Sequence, residues 1–100
     1  MHVISRRKLL EAGLRYPDAS ARLDVWYRVA KKATWQSLAD VRKTFSSADL
    51  VGSCTVFNIR GNEYRLITWI HYQRQKIFIR YVLTHSQYDK EDWKGDCTNH

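Results

Sequence analysis

The sequence contains no long hydrophobic run, and no apolar stretch follows the basic residues near its N-terminus. A membrane-spanning helix needs about 18 or more consecutive apolar residues, so we predict no transmembrane segment and no contact with membranes. A secretory signal needs an apolar core behind its positive charges, and none follows residues 1–8. These absences predict a protein of the cytoplasm.

Patterns typical of metal sites are also missing. The two cysteines, Cys54 and Cys97, form no Cys-x-x-Cys motif and lack histidine or cysteine neighbours at zinc-ligand spacing. No carboxylate cluster suited to Mg²⁺ is present, and the chain has no helix-turn-helix, zinc-finger or RNP signature. We therefore expect two reduced thiols, no bound metal and no cofactor.

Acidic residues are scarce relative to basic ones: 10 Asp and Glu stand against 17 Lys and Arg, for a formal net charge of +7. The 100 residues fit one compact domain, and 44% of them are hydrophobic, which is enough for a core. A strongly positive surface on so small a domain favours polyanions such as nucleic acid, an acidic protein or an anionic membrane. Charge alone does not choose among these partners.

Hydrophobic periodicity divides the chain into a helical half and a strand-rich half. Residues 1–4 are expected to form an edge strand, followed by a helix that Pro17 ends, a second helix over about 20–33 and a third beginning near Thr34. After a loop at 46–49, β-branched and aromatic residues predict strands at 55–59, 63–72 and 76–84. This order predicts an α+β fold, with N-terminal helices packed on a small, mainly antiparallel sheet. We expect one domain over residues 1–93 and a flexible C-terminal tail at 94–100.

Alternation along the strand at 63–72 separates two faces of the sheet. One face carries the mixed set Arg65, Ile67, Trp69 and His71, whereas the other carries the more apolar set Tyr64, Leu66, Thr68, Ile70 and Tyr72. We expect the apolar face to cover the helices. A basic groove floored by an aromatic ring suits RNA, because guanidinium groups bind phosphates and bases stack on rings. An open sheet face wetted by solvent has the same pattern, so both interpretations stand.

Two residues near the end of the chain have alternative placements. Arg80 lies on the face away from Arg65 if the hairpin loop has three residues, and on the same face if the loop has two or four. His85 follows the last strand, beside Tyr88 and Asp89. Histidine changes charge near neutral pH and can act as a general acid or base, although a surface histidine at a turn is the simpler interpretation.

Several motifs, in order along the chain, resemble the HigB toxin family of the RelE/ParE superfamily. They are Ile4-Ser5, Trp26-Tyr27, Arg42 to Asp49, Val51-Gly52, Val56 to Ile59, Gly61-Asn62, Tyr64 to Ile67, Thr84-His85 and Tyr88-Asp89. The resemblance covers about residues 1–93. It implies a RelE-like fold, cleavage of mRNA on the translating ribosome, and neutralisation by a HigA-type antitoxin. The helix-turn-helix domain of that antitoxin would make any contact with operator DNA.

The resemblance also assigns site residues by position. Arg65 matches an arginine that RelE-like toxins use at the scissile phosphate, His85 falls at an acid–base or phosphate-binding position, and Tyr88 matches a nearby aromatic. We expect these three to be catalytic. Asn58 falls near a lysine of RelE, and basic residues elsewhere suit phosphates. The expected RNA-binding residues are Lys43, Asn58, Lys76 and Arg80.

In the implied reaction, the RNA 2′-hydroxyl attacks the adjacent phosphate and the 5′-oxygen leaves. A base takes one proton, an acid gives another, and cations hold the growing negative charge. No metal is required where arginine and lysine supply that charge. Two alternatives remain open: a non-catalytic ParE-like toxin, and a basic RNA-binding module without chemistry.

Overall fold

A computed structural model of the protein describes residues 1–98. The strands are β1 (His2–Ile4), β2 (Asp49–Val51), β3 (Cys54–Ile59), β4 (Tyr64–His71) and β5 (Lys76–Thr84). The helices are α1 (Arg6–Arg15), α2 (Pro17–Lys32), α3 (Leu38–Thr44), α4 (His85–Asp89) and α5 (Gly95–Thr98), with a 3₁₀ turn at Asp92–Lys94. The predicted α+β architecture is confirmed. None of the helices within residues 1–98 is long and apolar enough to cross a membrane.

The five strands form one mixed sheet in the order β1-β5-β4-β3-β2. Strands β2, β3, β4 and β5 pair with one another in chain order, each antiparallel to the next. Strand β1 lies parallel to β5 at one edge, which confirms the predicted edge strand. Strand β2, at the opposite edge, lies partly where the sequence predicts a loop. It has only three residues, two of them exposed, so it lacks the hydrophobic alternation that reveals a strand.

The N-terminal helices cover one face of the sheet and form the main hydrophobic core with it. Leu23 and Trp26 of α2 pack in this core with Phe57 of β3 and Leu66 of β4. Leu66 belongs to the predicted apolar face, so the expected division of β4 into two faces is confirmed. Helix α2 begins at Pro17, earlier than predicted. Proline fits the first turn of a helix, where its missing N–H would have no helical partner.

A smaller core lies on the opposite face of the sheet. Trp93 and Cys97 of the C-terminal segment pack there with Val56 of β3 and Ile67 of β4. This segment covers part of the face that the sequence leaves open for RNA. Residues 94–98 therefore pack on the sheet, which differs from the expected flexible tail. Residues 99–100 lie outside the described part of the chain.

Cys54 and Cys97 form a disulfide, with Cα atoms 5.2 Å apart, so the prediction of two reduced thiols is wrong. The two positions are 43 residues apart, and they meet because α5 folds back onto the start of β3. Gly52 permits this approach. It has a positive φ, and a Cβ at this position would overlap the Cys97 carbonyl oxygen.

The β4–β5 hairpin determines the position of Arg80. Its turn covers residues 72–75, and a loop of four residues is one of the lengths that place Arg80 on the same face of the sheet as Arg65. A β-bulge between Ile67 and Thr68 interrupts this regular pairing, because Arg80 is the extra residue in β5. Arg80 lines a groove beside α1.

Candidate active site

The start of β4 brings Arg65 beside two other predicted site residues. Asn58 of β3 is its partner across the antiparallel ladder, so both side chains lie on one face of the sheet. The Arg65 guanidinium carbon lies 5.1 Å from the ring centroid of Tyr88, a cation–π contact. Arg65 also donates to the Asn62 carbonyl oxygen at 2.9 Å. These contacts fix the half-buried arginine while part of its charge stays accessible.

The last strand leads directly into α4, which carries His85 and Tyr88. Thr84 and Gln87 form a capping box, in which each side chain accepts from the other residue's N–H, at 3.2 Å and 3.0 Å. The His85 N–H donates to the Glu63 carbonyl oxygen at 2.9 Å, which ties α4 to the turn before β4. Residues three apart share a helix face, so His85 and Tyr88 lie on the same side of α4.

His85 has a carboxylate partner in the same helix. Its Nε2 lies 3.2 Å from an Asp89 carboxylate oxygen, and 53% of its side chain is exposed. An exposed pair of this kind adds little to stability, but it restricts the orientation of the imidazole. An imidazole that is oriented by a carboxylate and open to solvent is placed to act as a general acid or base.

Trp93 supports Tyr88 from behind, although sequence reasoning did not assign it to the site. The two rings stack with centroids 4.8 Å apart and planes at 19°. The Trp93 indole N–H donates to the Tyr88 carbonyl oxygen at 2.9 Å, and only 5% of Trp93 is exposed. Tyr88 therefore contacts both Arg65 and Trp93. The available signal in the sequence was a tryptophan within an otherwise polar segment.

Tyr64 anchors the start of β4. Its hydroxyl donates to the Asp18 carboxylate at 2.7 Å, and this hydrogen bond, followed by burial, raises the pKa of Tyr64 to about 12. Arg60 donates to the same carboxylate at 2.8 Å. These contacts join the turn before β4 to α2, and they fix the strand end from which Arg65 projects.

Residues 19–91 match the family HigB_toxin, the RelE-like toxic component of a toxin–antitoxin system. The chain belongs to the HigB toxin family. It is 30% identical over 92 residues to the mRNA interferase toxin HigB of Escherichia coli K12, covering 89% of this chain and 88% of that protein. It is 28% identical over 93 residues to the mRNA interferase HigB of Escherichia coli O6:H1 strain CFT073, covering 90% of each. The family match includes Arg65, His85 and Tyr88 and ends before Trp93.

In this HigB-family protein, Lys43 and Lys76 lie away from the contact between Arg65 and Tyr88. Lys76 faces His71 at the hairpin end of the sheet, and Arg65 lies at the other end of β4. Lys43 lies on α3, which packs into the main core on the helical side of the sheet. The structure therefore brings neither lysine to the predicted catalytic residues.

A basic groove between α1, β5 and α4 was not predicted for this HigB-family chain. It has a volume of about 340 Å³, and its lining includes Lys8, Arg15, Arg80 and Gln87. The Lys8 ammonium donates to the Arg80 carbonyl oxygen at 3.4 Å, which links α1 to β5. We call this surface the α1 groove. It brings three cations to the helix that carries His85, whereas in the sequence Lys8 and Arg15 look like solvated residues of an amphipathic helix.

A larger cavity of about 690 Å³ lies between α1 and α2 and includes none of these site residues. Leu10 and Leu14, which line it, are 56% and 83% exposed. Within residues 1–98, no group of three or more His, Cys, Asp and Glu side chains lies where it could hold a metal ion. The groups that the structure places at the start of β4 and on α4 are a guanidinium, an imidazole–carboxylate pair and an aromatic ring.

Proposed function

We propose that this HigB-family protein is the toxin of a toxin–antitoxin pair and acts as an endoribonuclease that cleaves mRNA. The observation that carries the proposal is the cluster of Arg65, Tyr88 and His85. In it, a cation, an aromatic ring and an acid–base group occupy adjoining positions on β4 and α4. Two relatives that cover 90% and 89% of the chain are named mRNA interferases, which supports the same activity.

Each side chain has a role in the proposed reaction. Arg65 binds the scissile phosphate and stabilises the negative charge that grows when the 2′-hydroxyl attacks. His85, oriented by Asp89, transfers a proton at the attacking or leaving oxygen. The Tyr88 ring contacts both Arg65 and Trp93, and its hydroxyl positions the phosphate. This set supplies charge and proton transfer without a metal ion.

The α1 groove is the proposed path of the RNA backbone towards the cleavage site. Lys8, Arg15 and Arg80 supply the cations, and Asn58 offers an amide beside Arg65. Arginine and lysine release counterions from phosphates, which gives affinity independent of base sequence. The outlying Lys43 and Lys76 add to the positive field that attracts RNA from a distance.

The exposed, shallow site is suited to a substrate that another particle holds in place. We therefore propose that the translating ribosome in the cytoplasm presents the mRNA. A HigA-type helix-turn-helix antitoxin neutralises the toxin through an acidic surface that complements the net charge of +7. The chain reaches operator DNA only through this antitoxin.

Induced expression in a bacterium tests the proposed function. Wild-type protein should arrest growth and create new mRNA 5′ ends within coding sequences, and co-expression of the antitoxin should restore growth. Arg65→Ala should neither arrest growth nor create new mRNA 5′ ends, because the phosphate-binding charge is lost. A ParE-like toxin would arrest growth without new mRNA ends. Normal growth in cells that contain soluble wild-type protein would contradict the proposal.

A further inference from the structure

Trp93 belongs to a short segment at the end of the described chain, residues 92–98, which we call the C-terminal clamp. The clamp consists of a 3₁₀ turn of three residues and the four-residue α5. Helical segments this short are unstable by themselves, because helix nucleation is unfavourable. The position of Trp93 therefore depends on what attaches the clamp to the sheet.

Trp93 and Cys97 pack on Val56 and Ile67, and within residues 1–98 three covalent or polar attachments also hold the clamp. The Cys54–Cys97 disulfide joins α5 covalently to the start of β3. Ser53 donates from its N–H and from its hydroxyl to the Cys97 carbonyl oxygen, each at 2.7 Å. The Tyr81 hydroxyl donates to the Asp96 carboxylate. Two of the three attachments meet at Cys97, so this residue is the main anchor of the clamp.

Loss of the disulfide would loosen this anchor. A disulfide restricts the open conformations of the segments that it joins, so its reduction lowers the free energy needed for local opening. Opening of the clamp removes both the ring that stacks on Tyr88 and the N–H that binds its carbonyl oxygen. Helix α4 has no buried residue of its own, and Tyr88 is only partly buried, against the smaller core that contains Trp93, so loss of Trp93 leaves its ring less restrained. Arg65 then loses the ring on which its guanidinium lies.

We propose that Trp93 is a positioning residue for Tyr88 and Arg65, and that the Cys54–Cys97 disulfide fastens it. Cleavage of RNA is then fast in the oxidised protein and slower, though not abolished, in the reduced form that the cytoplasm favours. This inference rests on the proposed function, because it concerns the rate of that reaction. Trp93 acts through Tyr88 and does not touch the RNA.

A reducing dithiol performs the redox step. Its thiolate attacks one cysteine sulfur, and the other cysteine leaves as a thiolate that takes up a proton. The second thiol of the reagent then displaces the first cysteine and closes the reagent's own disulfide. Cys54 and Cys97 gain two electrons and two protons, which the dithiol loses. Both cysteines are 1% exposed, so the attack follows a local opening of the clamp.

The rate of mRNA cleavage in the two redox states tests the inference. Purified full-length protein is assayed oxidised, and again after treatment with dithiothreitol, on mRNA bound to translating ribosomes. Alkylation and mass measurement count the thiols in each sample. We expect kcat to fall about ten- to a hundredfold on reduction, because misplacing a positioned group by about 1 Å has effects of this size. KM should change little, since the basic residues of the α1 groove are unaltered.

Three variants separate positioning from a merely structural effect. The Cys54→Ser/Cys97→Ser double variant should be slow and insensitive to dithiothreitol. Trp93→Ala should be slow although its disulfide is intact, whereas Trp93→Phe keeps a stacking ring and should recover most of kcat. Where a variant fails to fold, the comparison of oxidised with reduced wild-type protein decides. Equal kcat in the two redox states, or wild-type kcat in folded Trp93→Ala, would overturn the inference.

A second readout does not require cleavage. In the oxidised protein, the ring current of Tyr88 should shift the Arg65 side-chain protons upfield in NMR spectra, and reduction or Trp93→Ala should remove the shift. If wild-type protein cleaves no RNA but shows this change, the proposed function fails and the positioning role of Trp93 stands. If the protein cleaves RNA while the shift and kcat are equal in both redox states, the inference alone fails.

Discussion

The side chains at the site are held by contacts that leave their reactive groups accessible. A half-buried cation–π contact such as that between Arg65 and Tyr88 is worth about 0.5–2 kcal/mol, so a phosphate can still recruit the guanidinium. The ordered motifs of the sequence predicted Arg65, Tyr88 and His85 as site residues. Trp93 could not be predicted in the same way, because its proposed role depends on a contact with Tyr88 that forms only when the C-terminal clamp packs on the sheet.

Replacement of His85 by alanine should nearly abolish cleavage while the fold persists. Loss of one acid–base group lowers a rate by about 10²–10⁴-fold, whereas surface substitutions usually change stability by about 0.5 kcal/mol or less. Cleavage rate and thermal unfolding measure the two effects. Ser86→Ala, at the next exposed position of α4, should cleave like wild type. If folded His85→Ala also does so, His85 has no part in the reaction.

Long elements could be predicted from the sequence, whereas most short ones, β1 excepted, could not. The alternation of β-branched and aromatic residues gave β4 and β5 almost to the residue, at Tyr64–His71 and Lys76–Thr84. Strand β2 and helices α4 and α5 have three, five and four residues, too few for a periodic pattern. Helix α5 is fixed by a disulfide across 43 residues, which no local pattern encodes.

The capping box of α4 should matter for both stability and activity. Thr84→Ala removes the hydroxyl that accepts from the Gln87 N–H, and loss of such a cap costs about 0.5–2 kcal/mol. Thermal unfolding should therefore occur at a lower temperature, and cleavage should slow because α4 carries His85 and Tyr88. Thr84→Ser keeps the acceptor and serves as the control. An unchanged melting temperature in Thr84→Ala would show that the cap does not stabilise α4.

The hydrogen bond that anchors β4 should give a distinct alkaline pH dependence. The pKa of Tyr64 is about 12 in the fold against a usual value of 10, so folding favours the neutral hydroxyl. This stabilisation is present below pH 10 and is lost as the pH rises through 12. Tyr64→Phe lacks this stabilisation. The unfolding free energy of the wild-type protein should therefore exceed that of the variant by less at pH 12 than at pH 10. An excess that stays constant across that range would contradict the assignment.

At the scale of the whole molecule, composition predicted a positive surface but not its layout. The net charge of +7 is a property of the sequence, whereas its distribution depends on packing. Helix α1 lies beside β5 and places Lys8 and Arg15 in the α1 groove. The C-terminal clamp covers part of the sheet face that alternation suggested was open. The proposed RNA surface is therefore narrower than the sequence implied and shifted towards α1.

Salt dependence should distinguish the α1 groove from the outlying lysines. For binding to single-stranded RNA, the logarithm of the binding constant falls linearly with the logarithm of the salt concentration. The magnitude of this slope decreases by about 0.7 for each phosphate contact removed. Lys8→Gln/Arg15→Gln should therefore weaken binding and flatten the slope by about 1.4, on the same basis. Lys43→Gln/Lys76→Gln removes the same charge and should change the slope less. If the second pair has the larger effect, the RNA path lies elsewhere.

The chemistry of the cut ends tests the central claim most directly. Attack by the 2′-hydroxyl leaves a 5′-hydroxyl on the downstream fragment, whereas hydrolysis by an activated water leaves a 5′-phosphate. We expect mRNA recovered after induction of wild-type protein to carry 5′-hydroxyl ends. Such ends are recognised because they can be ligated to an adapter only after they have been phosphorylated. These ends should be absent after induction of Arg65→Ala or His85→Ala and present with Ser86→Ala. Fragments with 5′-phosphate ends, or 5′-hydroxyl ends made equally by folded Arg65→Ala and His85→Ala, would contradict the account.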